Sequence, residues 1–361
     1  MKRLILNRLS FHLAIFSKVF NVAGGKKVFI RSMLICSLAW ATAACENRSV
    51  HSDGKTSGAP GDGLVYSAEK VGDREDGSGA FRTHCLESHE NFDDPLVFPG
   101  QPGASHHHVF FGNPNVDAYT TIGSLFEATE TTCDGGTLNR SAYWIPALYD
   151  ANEKRIDYGE PLFYYKTGYH VAAAAIQPPP ENLRIIAGNA HATTSQDVSV
   201  VKFRCGSWVS EKDWFDPGDP LDHVSILPDC PKDDFLEIRI VFPQCWDGKN
   251  LYLPDQSHMA YPSEATPPVV GTGACPQTHP IAIPEISYNF RLYVTEDRGP
   301  SNSWRFACET NPGGICAHAD WMNGWDPKTM EKIVENCLRP ARECLVGLLG
   351  DGTRLDPVIT D

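Results

Sequence analysis

Three stretches of the chain collect imidazoles, carboxylates and aromatic rings at spacings that could do chemistry. In the first, Asn91 to Asn113, Pro and Gly turns deliver the chain into a short apolar run headed by His106, His107 and His108. If that run is extended, His106 and His108 project to one side and His107 to the other. A His-x-His pair on a strand can bind a metal, or position an anionic or hydroxylated ligand. The plainer alternative is a structural pair hydrogen-bonded to Asp93 or Asp94. The second stretch, Cys245 to Tyr261, sets Asp255, Ser257 and His258 among Trp246, Tyr252 and Tyr261. Such a mixture suits a sugar, whose apolar C–H face stacks on rings while polar groups read its hydroxyls; an ordered loop satisfying its own backbone is the alternative. The third, Cys316 to Trp325, puts His318 and Asp320 on one face of an extended segment, beside Trp321, Asn323 and Trp325. A carboxylate next to an imidazole can orient it for acid–base work, or the two can ligate a metal; a capped strand end with both tryptophans in the core explains them equally.

Missing motifs narrow the field. There is no Gly-x-Ser-x-Gly elbow, phosphate loop, Gly-x-Gly-x-x-Gly fingerprint or His-Glu-x-x-His. Serine esterases, nucleotide-dependent enzymes and thermolysin-like proteases are disfavoured accordingly. The formal charge of −14 leaves no basic surplus to neutralise a phosphate backbone, so no nucleic-acid partner is expected.

The elements that must position these residues read mostly as strands. Ile286, Tyr288, Phe290, Leu292 and Val294 alternate with polar or exposed-type residues, the period of a half-buried strand. Phe235–Phe242, Val198–Phe203, Leu183–Ile186 and Ala142–Tyr149 are further candidates, and 27 prolines and 30 glycines punctuate the runs. One helix is expected near the C-terminal end. Asp326 can cap it, Pro327 suits its first position, and Met330, Ile333, Val334, Cys337 and Leu338 form a buried stripe. The expected fold is mainly β: a single antiparallel β-sandwich or jelly-roll-like domain with long disulfide-stapled loops and a short C-terminal helix.

Residues 1–44 read as a signal segment, with basic residues before an apolar run, Ser32 to Ala44, that is shorter than the ~20 residues a spanning helix needs. Ala41-Thr-Ala43 fits ordinary signal cleavage, while Thr42-Ala-Ala-Cys45 fits a lipoprotein box, with a lipid anchor on Cys45. Residues 45–64 are polar and Gly/Ser-rich, a flexible tether, and 65–361 is the globular domain. Ten cysteines follow Cys45, an even set that can close into structural disulfides in an oxidising compartment. Sequence neighbours pair as Cys85–Cys133, Cys205–Cys230, Cys245–Cys275, Cys308–Cys316 and Cys337–Cys344, a hypothesis that order alone does not prove. Export follows, to the exterior, the periplasm or a lipid-anchored position at the cell surface.

At the same stretches the chain resembles the domain of unknown function 1996 (DUF1996), a family of secreted fungal and bacterial proteins, some fused to cell-wall or sugar-binding modules. The matching segments are Asp94-Pro-Leu-Val-Phe-Pro-Gly100 with Ala104-Ser-His-His-His108, Tyr143-Trp-Ile-Pro-Ala-Leu-Tyr149 and Cys245-Trp-Asp-Gly-Lys-Asn-Leu251. Ser257-His-Met-Ala-Tyr-Pro262, Cys275-Pro-Gln-Thr-His-Pro280 and His318-Ala-Asp-Trp-Met-Asn-Gly-Trp325 continue the match in order. The resemblance covers roughly residues 80–345. Two departures stand out: an additional His107 inside the family's Ser-His-x-His, and Asp255-Gln256 before Ser257-His258 where the family commonly has Asp-His. The resemblance implies an extracellular setting and a shared polar cluster drawn from His106, His108, His258, His318 and Asp320. It implies no particular activity.

The reading that absorbs most of these residues is a monomeric, exported, glycan-active protein that hydrolyses or otherwise cleaves a cell-wall or environmental polysaccharide. Asp94, Asp255 and Asp320 are its candidate acid/base carboxylates, with His258 and His318 tuning them. His106, His108, Trp246, Tyr261, Asn323 and Trp325 are its candidate ligand-binding residues, and no cofactor is required. Two alternatives compete: a non-catalytic carbohydrate- or wall-binding module, and a divalent-metal site built from His106, His108, His258, His318 and Asp320.

Overall fold

The computed structural model describes residues 63–207, 223–263 and 270–359. The expected leader, and all of the expected tether but its last two residues, lie outside them. Leu64, the last residue of the expected tether, opens a strand, Leu64–Tyr66, paired with Thr353–Leu355.

Two antiparallel sheets dominate. The larger has seven strands in the spatial order Val201–Gly206, Phe235–Val241, Glu285–Tyr293, Leu162–Lys166, Ala80–His84, Arg342–Val346 and Gly72–Asp73. The smaller has five, ordered Glu87–Asn91, His108–Gly112, Ala142–Pro146, His318–Met322 and Arg184–Gly188. Arg342–Val346 alone breaks the antiparallel rule, running parallel to Ala80–His84.

The expected alternation holds in Glu285–Tyr293, where Ile286, Tyr288, Phe290 and Leu292 are buried. This strand and its neighbour Leu162–Lys166 meet the inner face of the smaller sheet through ring contacts such as Phe111–Phe163, Phe111–Phe290 and Tyr143–Tyr288. The molecule is therefore a β-sandwich whose aromatic core lies between the sheets. The five pairs of neighbouring cysteines are bonded as sequence order suggests. The helix Pro327–Ile333 is capped by Asp326, whose carboxylate accepts the Thr329 amide at 2.9 Å. Its stripe continues through a wider π-type turn, Val334–Leu338, and all five stripe residues are buried. Among the described residues no helix is long and apolar enough to cross a membrane.

The outer face of the five-stranded sheet is partly covered. Loops carrying Leu96 and Val116 and a short helix, Ile122–Phe126, carrying Leu125 fold over it and form a second, smaller apolar cluster with Phe110, Trp144 and Met322. Asp94, His108, His318 and Asp320 are buried beside them, whereas His106, Arg184 and Ile186 stay half-buried.

Candidate metal centre

Strand register brings the polar residues of this face together. His108 stands opposite Pro146, Asp320 opposite both Trp144 and Ile186, and His318 opposite Gly188. Alternation gives all of them the same face of the sheet. The two His strands flank the one bearing Pro146, whose short ring leaves room for imidazoles to converge over it. Gly188 (φ +83°) allows the close approach on the far side: a Cβ there would meet the Ala317 carbonyl oxygen at 2.5 Å and the His318 Cα at 2.9 Å.

The imidazoles are oriented by the backbone. His108 Nδ1 lies 3.0 Å from the Asp93 carbonyl and His318 Nδ1 lies 2.8 Å from the Cys316 carbonyl. A carbonyl only accepts, so each Nδ1 carries the proton and each Nε2 presents a lone pair. Those two Nε2 atoms face each other at 3.5 Å. His106 packs across both rings, at centroid distances of 4.2 Å to His108 and 5.0 Å to His318, and its Nε2 is buried with no hydrogen-bond partner. Asp320 is fully buried and neither of its carboxylate oxygens has a hydrogen-bond partner; Oδ2 is 3.9 Å from His318 Nε2. Tyr288, reaching through from the core, donates its hydroxyl to the Asp320 carbonyl and fixes the backbone there. Asp94, also buried, accepts the Leu96 and Val97 amides on Oδ1 at 2.8 and 2.9 Å. Ligand atoms of Asp94, His108 and Asp320 lie within 4.8 Å of one another, as do those of His106, His108 and His318.

Protonation follows from this enclosure. Burial, then the neighbouring His191 and His107, lowers His106 to about 4; burial, then His106, lowers His318 to about 3. His108 is held well below its ordinary value by burial and by the other two rings. Burial raises Asp94, and burial with the nearby Asp94 raises Asp320 well above the carboxylate range. Neutral imidazoles with exposed lone pairs are the ligand form.

The donor set fits a transition-metal ion. Two ligand atoms at ~2.0–2.1 Å from a tetrahedral ion are ~3.3–3.4 Å apart, close to the 3.5 Å between the imidazole nitrogens. Imidazole Nδ1–H donated to a main-chain carbonyl is the usual outer-shell support of a metal-bound histidine. Nitrogen-rich donors of this kind suit zinc, copper, iron or nickel and not magnesium or calcium.

The other residues singled out in the sequence are engaged elsewhere. Asp255 is exposed on a turn and accepts the Ser257 hydroxyl and amide at 2.7 and 3.1 Å, which holds it in a local turn. His258 is buried, but its Nε2 meets the Arg184 carbonyl at 2.7 Å and its Nδ1 accepts the Leu253 amide, so both nitrogens are used by main chain. Trp325, expected as a stacking platform, is 1 % exposed. It packs edge-on against Phe81 and donates to the Tyr165 hydroxyl, on the core side of the molecule. Asn323 bonds the Pro180 carbonyl and the Trp325 amide. Trp246 donates to the Asn250 carbonyl, and Tyr261 to that of Val241. None of these six belongs to either ligand grouping.

Three residues outside the candidate site set border the cluster. His191, exposed on the loop after Arg184–Gly188, acts electrostatically on His106 and His318. Tyr252 is raised to about 12 by burial and then by Asp94 and Asp320. Arg184 lies over its ring. A lone His after an Ala and an Arg at a strand start give no sequence signal, because only the fold brings them here.

Fold and site together define a disulfide-braced β-sandwich that carries a buried His–Asp cluster on the outer face of its smaller sheet. The chain belongs to the DUF1996 family, a domain of unknown function, whose model matches residues 94–325, a span that contains all five cluster residues. No curated protein and no solved structure matches it.

Proposed function

We propose that the protein holds a divalent first-row transition metal, zinc fitting best, through His106, His108, His318 and Asp320. In this reading it uses the ion outside the reducing cytoplasm to cleave a cell-wall or environmental polysaccharide. One observation carries the metal: two imidazole lone pairs aimed at each other across 3.5 Å, beside a buried carboxylate with no donor. A cation between them would give these groups a partner, since buried polar atoms left without one are costly. A bound ion would lower the pKa of a coordinated water, and Asp94, clamped by two amides at the edge of the cluster, would be the group to exchange a proton with it. Export is supported by the five disulfides and by the leader, with either cleavage or lipidation at Cys45 as its end point.

Elemental analysis of chain purified without a His tag should find one equivalent of metal, and His318→Ala should remove it. Metal well below stoichiometry in every preparation defeats the centre. A polysaccharide panel scored for retention and for released reducing ends tests the activity, with release abolished by Asp320→Asn and by chelator. Release that survives chelation selects a second reading, favoured by the close Asp94–Asp320 pair: metal-free glycosidase chemistry, whose retaining form uses carboxyl groups ~5–5.5 Å apart. Retention without release makes the protein a binding module.

A further inference from the structure

Arg184 is half-buried on the smaller sheet. Arg82, Arg204 and Arg239, on strands of the larger sheet, each meet a carboxylate. Arg184 makes no ion pair among the described residues, and its Nε is shut off from solvent without a partner. It opens the strand Arg184–Gly188 opposite Met322, so alternation gives it the same face as Ile186 and Gly188, the face of the metal ligands.

Its surroundings hold it there. The guanidinium lies 5.0 Å over the Tyr252 ring, and the carbonyl of Arg184 is tied to His258 Nε2 at 2.7 Å. Tyr252 in turn donates to the Leu96 carbonyl at 2.7 Å, and the Leu96 amide donates to Asp94 at 2.8 Å. The cation and the edge of the metal cluster are thus fastened to one loop. His258 and Tyr252, members of the second polar stretch of the sequence, act here as positioning residues.

We infer that Arg184, stacked on Tyr252 beside the His–Asp cluster, binds a carboxylate of the substrate, so that the polysaccharide cleaved at the metal is a uronic-acid-bearing one. The inference rests on the proposed function for the bond being cut, but not for the anion site. A guanidinium offers a planar fork of N–H donors that matches a carboxylate bidentately, and charge-assisted bonds of this type are about twice as strong as neutral ones. A ring face beneath it fixes the plane of the fork and leaves its edge for the ligand. A neutral sugar would leave this partly desolvated cation unpaired; a uronate pairs it.

The test uses the metal-loaded full chain, titrated with glucuronate and with glucose, which differ by the carboxylate. Binding is followed by ligand-observed NMR, with metal content and near-ultraviolet circular dichroism measured on the same samples. The wild type should bind glucuronate at least tenfold more tightly than glucose. Arg184→Gln should erase that preference while metal content and the dichroism spectrum stay unchanged, and Arg184→Lys, which keeps the charge but not the fork, should retain part of it. Equal binding of the two sugars by the wild type overturns the inference. So does a preference that survives in folded Arg184→Gln, because the carboxylate would then sit on the metal. A preference that depends on Arg184 in a protein without metal keeps this site and defeats the metal reading alone.

Discussion

At the scale of single residues, the chemistry lies in how the backbone directs each imidazole. His108 and His318 each spend one nitrogen on a main-chain carbonyl and turn the other inward, whereas His258 spends both on main chain. The spacings His106-x-His108 and His318-x-Asp320 made this face legible in the sequence, because alternation along an extended chain is local. Nothing local separates His258 from them: the acceptor that claims it, Arg184 O, is 74 residues away. Trp325 was ambiguous for the same reason, since the fold decides which side of the sheet it takes. Asp320 gives the sharpest prediction at this scale. With chelator present, Asp320→Asn should be more stable than wild type by ~1–3 kcal/mol at neutral pH, because burial forces Asp320 to take up a proton that its unfolded, ionised form does not carry, and a neutral amide avoids that cost. With zinc in excess the order should reverse, since the ion stabilises only the protein that binds it. Thermal melts in both conditions check this, and identical ranking in the two would count against a metal at Asp320.

At the scale of elements, strands and helix were readable where one face is buried and one is not. Glu285–Tyr293 and the Pro327–Leu338 segment show their periods plainly, and the Asp326-Pro327 start signal specifies where the helix begins. The parallel pairing of Arg342–Val346 was not readable, because strand order is a long-range property that periodicity does not encode. Gly188 ties element to site. Gly188→Ala adds a methyl group against the Ala317 carbonyl at a positive φ, and the strand His318–Met322 must shift to admit it. The expected cost is ~1–3 kcal/mol in a urea melt, with zinc affinity reduced at least tenfold. Wild-type affinity in this variant would show that the strand spacing does not set the ligand geometry.

At the scale of the molecule, the sandwich supplies the rigid wall and the disulfides restrain the loops that cover it. Cys245–Cys275 closes the segment that carries Tyr252 and His258, and Cys308–Cys316 closes the loop that leads into His318. Dithiothreitol should therefore lower the urea midpoint by an amount corresponding to ~2–4 kcal/mol for each bridge reduced. A midpoint indifferent to full reduction, verified by thiol titration, would assign the fold's stability to its core alone.

Among the described residues, the strand Leu64–Tyr66 pairs with Thr353–Leu355, and Ala80–His84 receives its parallel neighbour from Arg342–Val346. An emerging polypeptide thus cannot finish either assembly until more than 250 further residues have left the ribosome. Were the chain exported, as proposed, such late closure would keep these two assemblies open while it crosses a membrane.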